Sequence, residues 1–169
     1  ADPKAMVSCG RARFTILTSQ LVRMEWAKDN HFEDHASLVF INRQLPVPVF
    51  RTRSDDQWLI IETEKLTLKY QRNGEIFAAN NLSISLELNG RTVTWQPGTE
   101  DKENLGGTIR TLDGVKGDTP LEPGLLSRGG WVVVDDSTRP LFNYSEWPWV
   151  IPRPSDERLD WYFFGYGPD

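Results

Sequence analysis

Carboxylates are the first residues to weigh for chemistry, because hydrolysis of a glycosidic bond needs two of them facing one sugar, one as acid and one as nucleophile or base. Two adjacent pairs stand out, Asp135-Asp136 and Asp55-Asp56. Neighbours on a strand point to opposite faces, so Asp135-Asp136 does not converge on a single bond. Asp135-Asp136 reads as a charged strand end running into a turn at Ser137, and Asp55-Asp56, after Ser54, reads as a turn between strands. His31 and His35 have the i, i+4 spacing of metal ligands on a helix, but Asn30, Phe32 and Asp34 supply no helical amphipathicity, so no metal is expected there. Cys9 is the single cysteine and can form no internal disulfide. No Gly-x-Ser-x-Gly elbow, phosphate-binding loop or dinucleotide fingerprint occurs, and no cofactor is implied. From the residues alone, the chain offers no catalytic centre.

The elements that would position these groups are strands. Leu82, Ile84, Leu86 and Leu88 alternate with Ser83, Ser85 and Glu87, and Leu66, Leu68 and Tyr70 alternate with Lys65, Thr67 and Lys69. Each is one buried and one wet face of an antiparallel strand. Asn73-Gly74 and Asn89-Gly90 both suit the positive φ of tight turns, so hairpins are expected at both places. Further strands are expected at Arg11 to Leu17, Gln20 to Ala27, Leu38 to Asn42, Trp58 to Thr63, Thr92 to Gln96, Trp131 to Asp135 and Leu159 to Phe164. Nine or so short strands with no amphipathic helix predict an all-β antiparallel sandwich. Trp131-Val132-Val133-Val134 and Trp161-Tyr162-Phe163-Phe164-Gly165-Tyr166 do not alternate, so both faces of these strands should be covered. The second run lies so near Asp169 that its cover is expected from beyond this sequence.

The 169 residues fit one domain, and 38% hydrophobic with 25% charged residues is a folding composition. A net charge of -5 has the wrong sign to grip a phosphate backbone, so no nucleic acid partner is expected. No apolar run approaches the roughly 20 residues of a bilayer span, so a soluble chain with no membrane partner is expected. Its compartment is not specified. Asn81-Leu82-Ser83 and Asn143-Tyr144-Ser145 fit the N-glycosylation pattern.

Residues 96 to 130 break the pattern, with eight glycines and Pro97, Pro120 and Pro123. Connections beyond about 12 to 15 residues are usually functional or disordered. Leu105, Ile109, Leu112, Leu121, Leu125 and Leu126 would be superfluous in a floppy linker, which points to one long ordered loop lying over a surface.

Here the chain resembles the N-terminal β-sandwich domain of glycoside hydrolase family 31, the α-glucosidases and α-xylosidases. The motifs run in order: Asn104-Leu105-Gly106-Gly107-Thr108-Ile109-Arg110-Thr111-Leu112-Asp113, then Leu121-Glu122-Pro123-Gly124-Leu125-Leu126-Ser127-Arg128, then Gly130-Trp131 through Ser137. Arg13 to Thr18 with Leu21 to Trp26, Phe32-Glu33-Asp34, Asn42-Arg43 and the closing Asp160 to Gly167 are similar to the same domain. The resemblance implies a galactose-mutarotase-like sandwich over residues 1 to 169, followed by a catalytic (β/α)8 barrel that carries both catalytic aspartates. It implies that this segment is inactive alone, has the barrel and a carbohydrate substrate as partners, and lends its loop to the sugar pocket. Asp118 in Gly117-Asp118-Thr119-Pro120 resembles a substrate-facing aspartate, though Gly117 stands where some members have arginine. Trp147, Trp149, Trp161 and Tyr166 are the expected interdomain surface. A free-standing carbohydrate-binding module, with Trp147 and Trp149 stacking on a sugar, is the alternative. A sugar mutarotase would need a placed histidine that His31 and His35, both near the N-terminus, do not suit.

Overall fold

The computed structural model describes residues 1–107, 117, 121–145, 147, 149–154 and 157–166. Two five-stranded antiparallel sheets pack face to face. Sheet I is ordered β1-β2-β3-β12-β9, from β1 (Met6–Cys9), β2 (Ala12–Ile16), β3 (Leu21–Ala27), β9 (Trp131–Asp135) and β12 (Arg158–Gly165). Sheet II follows chain order, with β4 (Phe50–Ser54), β5 (Trp58–Thr63), β6 (Leu66–Gln71), β7 (Leu82–Leu88) and β8 (Arg91–Trp95). A small ribbon pairs β10 (Leu141–Phe142) with β11 (Val150–Ile151). The only helical element among the described residues is a 3-10 turn at Pro3–Ala5, so none is long and apolar enough to cross a membrane.

Alternation fills the space between the sheets. Phe14, Val22, Met24, Trp26, Trp131 and Phe163 of sheet I meet Ile61, Leu68, Tyr70, Ile84, Leu86 and Trp95 of sheet II in one core. Phe14 packs edge-on against Tyr70 at 5.3 Å, and Trp95 meets Phe163 at 5.6 Å. Such aromatic contacts add to the area they bury.

The expected hairpin at Asn89-Gly90 is a two-residue turn, with Asn89 at φ 52° and Gly90 at φ 74°. The other differs. β6 and β7 pair as expected, but Asn73-Gly74 opens a longer connection that returns Phe77 to the core before β7 starts. Within it Asn81 is buried, its amide bonded to Ala78 N and Ile76 O, so this sequon is closed to a glycan in the folded chain. The expected strand at Leu38 to Asn42 is absent. Phe40 instead lies flat on Tyr162, ring centroids 3.4 Å apart, and Arg43 donates to Tyr162 Oη at 2.9 Å. These anchors make the segment a cover over sheet I, held beside β10 by Leu38 N donating to Pro140 O. The cover expected beyond Asp169 for β12 is therefore supplied, at Tyr162 and Phe164, from within the chain. β1 and β4 carried no clear pattern. β4, Phe-Arg-Thr-Arg-Ser, is a charged edge strand of the kind that resists pairing with other chains.

Candidate functional site

The long loop leaves the sandwich through a neck built from backbone and one amide. Residues 103–107 run against 122–128, with Leu105 N donating to Leu126 O at 2.9 Å, Gly107 N to Glu122 O at 2.6 Å and Arg128 N to Glu103 O at 3.0 Å. Asn104 clamps both sides: its Oδ1 accepts from Gly106 N and Gly124 N, and its Nδ2 donates to Asp101 and to Gly124 O. A Cβ on Gly124 would stand 2.4 Å from Gly106 O, so the strands of the neck approach too closely for any side chain there. Ser127 Oγ donates to Asp101 at 2.7 Å, and Ser127 N donates to Tyr166 Oη. Tyr166, expected on an interdomain surface, thus ties the end of β12 to the neck, and its burial raises its phenol pKa.

Leu105, one of the apolar residues expected to hold this loop over a surface, is 54% exposed. Hydrogen bonds of Asn104 do that work instead. Ile109, Leu112 and Asp118 lie outside the described residues.

A second region is the cover on sheet I. On β2, β3 and β12 the residues facing away from the core are Arg13, Arg23, Glu25, Asp160 and Tyr162, and the register sets Arg13 opposite Glu25 and Glu25 opposite Asp160. Arg13 grips Glu25 through two bonds of 2.7 and 2.9 Å, and Arg23 grips Asp160 through two of 2.8 and 2.7 Å. Arg153 bridges Asp160 and Asp136 at 2.9 Å each, and Ser37 Oγ donates to Asp136. Three guanidinium groups and three carboxylates, each less than a tenth exposed, thus fasten the cover to the sheet. Desolvation raises Glu25, with nearby Asp160 adding to it against the pull of Arg23 and Arg13. Desolvation likewise raises Asp136, and burial pushes Tyr162 up to about 12. For Arg23, desolvation is outweighed by its bonds and charge contact with Asp160, which hold it above its ordinary value.

Asp136 corrects the reading of Asp135-Asp136 as a charged strand end. Asp135 is exposed and caps Ser137 N, but Asp136 is fully buried in the ion network. His31 sits beside Asp29 and His35 beside Glu33, on separate partners.

The connection between β10 and β11 carries Trp147 and Trp149, 78% and 60% exposed, their rings nearly perpendicular with centroids 5.2 Å apart. Asn143 N donates to Trp149 O and holds the ledge to the ribbon. Trp161 does not share that surface: it faces between the sheets, against Phe77 and Trp95. The four aromatic residues expected together therefore divide into a ledge, a core wall and a neck clamp. Arg23, Glu25, Arg153 and Asp160 were not singled out from the sequence. The signal for Arg23 and Glu25 was charge inside Leu21-Val22-Arg23-Met24-Glu25-Trp26, since a charged residue flanked by apolar ones on a strand covered on both faces must be paired.

Neither a scan against family models nor a search of curated proteins returns a match to this chain.

Proposed function

We propose that this chain is the non-catalytic N-terminal β-sandwich of a retaining α-glycosidase of the family 31 type, acting on α-linked oligosaccharides. It supports a catalytic barrel and lends the loop at 96–130 to the substrate pocket. One observation carries the docking role. The exposed large apolar side chains, among them Ile41, Val49, Leu125, Trp147 and Trp149, lie on connections and the small ribbon, and none lies on a strand of the two main sheets. Apolar side chains left in water on the connections, away from the sheets, are groups that a docked second domain would cover. The ordered motifs from Asn104 to Ser137 and at Asp160 to Gly167 support the family assignment.

The pure 169-residue chain should hydrolyse no aryl α-glucoside or α-xyloside, because the paired carboxylates belong to the barrel. Turnover by the pure chain, after a control for contaminating hydrolase, overturns the reading. In the longer enzyme Asp118→Ala should lower kcat/KM by about 1.5 to 3 kcal/mol equivalent, the value of a charge-assisted hydrogen bond to a sugar hydroxyl. Unchanged kcat/KM would remove Asp118 from the pocket.

The exposure of Trp147 and Trp149 also favours a second reading, a free-standing carbohydrate-binding module. Retention of the chain on an α-glucan column, abolished by Trp147→Ala with Trp149→Ala, would select it.

A further inference from the structure

The chain holds two Asn-x-Ser triplets with no proline at the middle position, and the fold treats them in opposite ways. Asn81 is 2% exposed, and both ends of its side-chain amide are bonded, Oδ1 accepting from Ala78 N and Nδ2 donating to Ile76 O at 2.8 Å each. Asn143 stands in the turn that follows β10, with Tyr144 and Ser145 exposed after it. Its Oδ1 accepts from Ser145 N at 3.1 Å and from Ser145 Oγ at 2.6 Å, which brings the amide and the hydroxyl of the triplet together. Its Nδ2 has no partner among the described residues. The ribbon is held by the backbone of Asn143, whose N donates to Trp149 O, and makes no use of that side-chain nitrogen.

We propose that Asn143 is the residue through which this chain carries an N-linked oligosaccharide when it is made in a secretory compartment. The step is a glycosyl transfer from an oligosaccharide joined to a lipid pyrophosphate. Nδ2 attacks the anomeric carbon of the first N-acetylhexosamine, and the C–N bond forms as the C–O bond to pyrophosphate breaks. The lipid pyrophosphate leaves with the electron pair, and a base of the transferase takes one amide proton. The product is a bulky, solvated group that belongs on a surface turn. The turn at Asn143 can hold it in water, whereas at Asn81 it would have to enter the packed connection between β6 and β7. Tyr144, 76% exposed and stacked on Phe142 with ring centroids 5.5 Å apart, gives the first sugar an apolar neighbour. A glycan at Asn143 borders the Trp147-Trp149 ledge and marks the margin of that surface. The inference goes beyond the proposed function and depends on none of it.

The test is to express the chain behind a secretion signal in a eukaryotic host and to weigh the secreted protein by mass spectrometry before and after enzymatic removal of N-glycans. One glycan is expected, mapped to Asn143 by the conversion of that residue to aspartate on release. Asn143→Gln and Ser145→Ala should each abolish it. Ser83→Ala, which destroys the other triplet without touching the buried amide of Asn81, should leave it in place. Where the wild-type chain is retained in the cell because Asn81 is modified before it folds, Ser83→Ala should restore secretion and the product should carry its glycan at Asn143. A secreted chain without a glycan, a glycan on Asn81 in the folded chain, or a glycan that survives Asn143→Gln and Ser145→Ala overturns the assignment. Absence of α-glycosidase activity in a longer enzyme would leave it standing.

Discussion

The two sheets solve the same problem in opposite ways. Sheet II is apolar on its inner face and polar on its outer face: β7 buries Leu82, Ile84, Leu86 and Leu88 and turns Ser85 to a Thr94 neighbour at the surface. Sheet I is covered on both faces, and its outer face holds Arg13, Arg23, Glu25 and Asp160 beneath the chain's own connections. Polar groups in water can lose a partner and exchange it for solvent. Beneath a cover they cannot, and each becomes conditional on all the others. The same residue classes thus carry different consequences according to which face they occupy.

The sharpest way to break this comparison is to delete one polar group from each setting. Asp160→Ala strands Arg23 and Arg153 without their shared carboxylate, and removing one partner from a buried pair costs about 3 to 5 kcal/mol. Ser85→Ala on sheet II should change stability by less than about 0.5 kcal/mol. Urea unfolding of both variants measures the contrast, and equal effects would mean that the cover admits water.

The loop neck is an intermediate case, where the groups at stake are backbone. Asn104→Ala leaves Gly106 N and Gly124 N without their acceptor and should cost about 1 to 3 kcal/mol. Gly124→Ala should cost a similar amount by pushing the two neck segments apart. Faster amide exchange at Leu105 and Gly107, with the sheets unaffected, is the expected signature.

A smaller effect distinguishes the sheets by pH. Glu25 and Asp136 are raised by desolvation, so the folded chain takes up protons there more readily than the unfolded chain. Their contribution to stability is fully present below the ordinary carboxylate pKa of about 4 and is lost as pH rises through their raised folded values. Asp34 has the opposite sign: burial acts against it, but its bond and charge contact with Arg13 outweigh that and lower it, so its contribution is lost on acidification. Above the ordinary carboxylate pKa, through the raised folded values of Glu25 and Asp136, stability should fall gently as pH rises, and Glu25→Gln should flatten that slope. A slope unchanged by Glu25→Gln would place the carboxylate in contact with solvent.

Smallest of all is the expected effect of the ledge on this chain's own fold. Trp147→Ala and Trp149→Ala should each leave its stability within about 0.5 kcal/mol, since both rings are mostly in water. Under the proposed function, the same changes in the longer enzyme should loosen the docking of a barrel, detectable as faster proteolysis between the domains.

Alternation was enough to place strands such as β6 and β7, because it reports which face of a strand meets a dry neighbour, and the short unbroken apolar runs placed β9 and β12 as strands covered on both faces. The Asn89-Gly90 turn was legible for the same local reason, since both residues tolerate positive φ. The candidate site was legible only in part. Asn104, Gly106, Gly107 and Gly124 were visible as a motif, but their function as a neck depends on a backbone approach between residues twenty positions apart, which no local pattern encodes. Leu38 to Asn42 alternates poorly and still looked like a strand, until Phe40 and Arg43 found Tyr162 more than a hundred residues away. Asp136 and Trp161 were read from their neighbours as part of a charged strand end and as an interdomain surface. Packing moved both inside, because burial of a side chain depends on what crosses above it, and only the folded chain determines that.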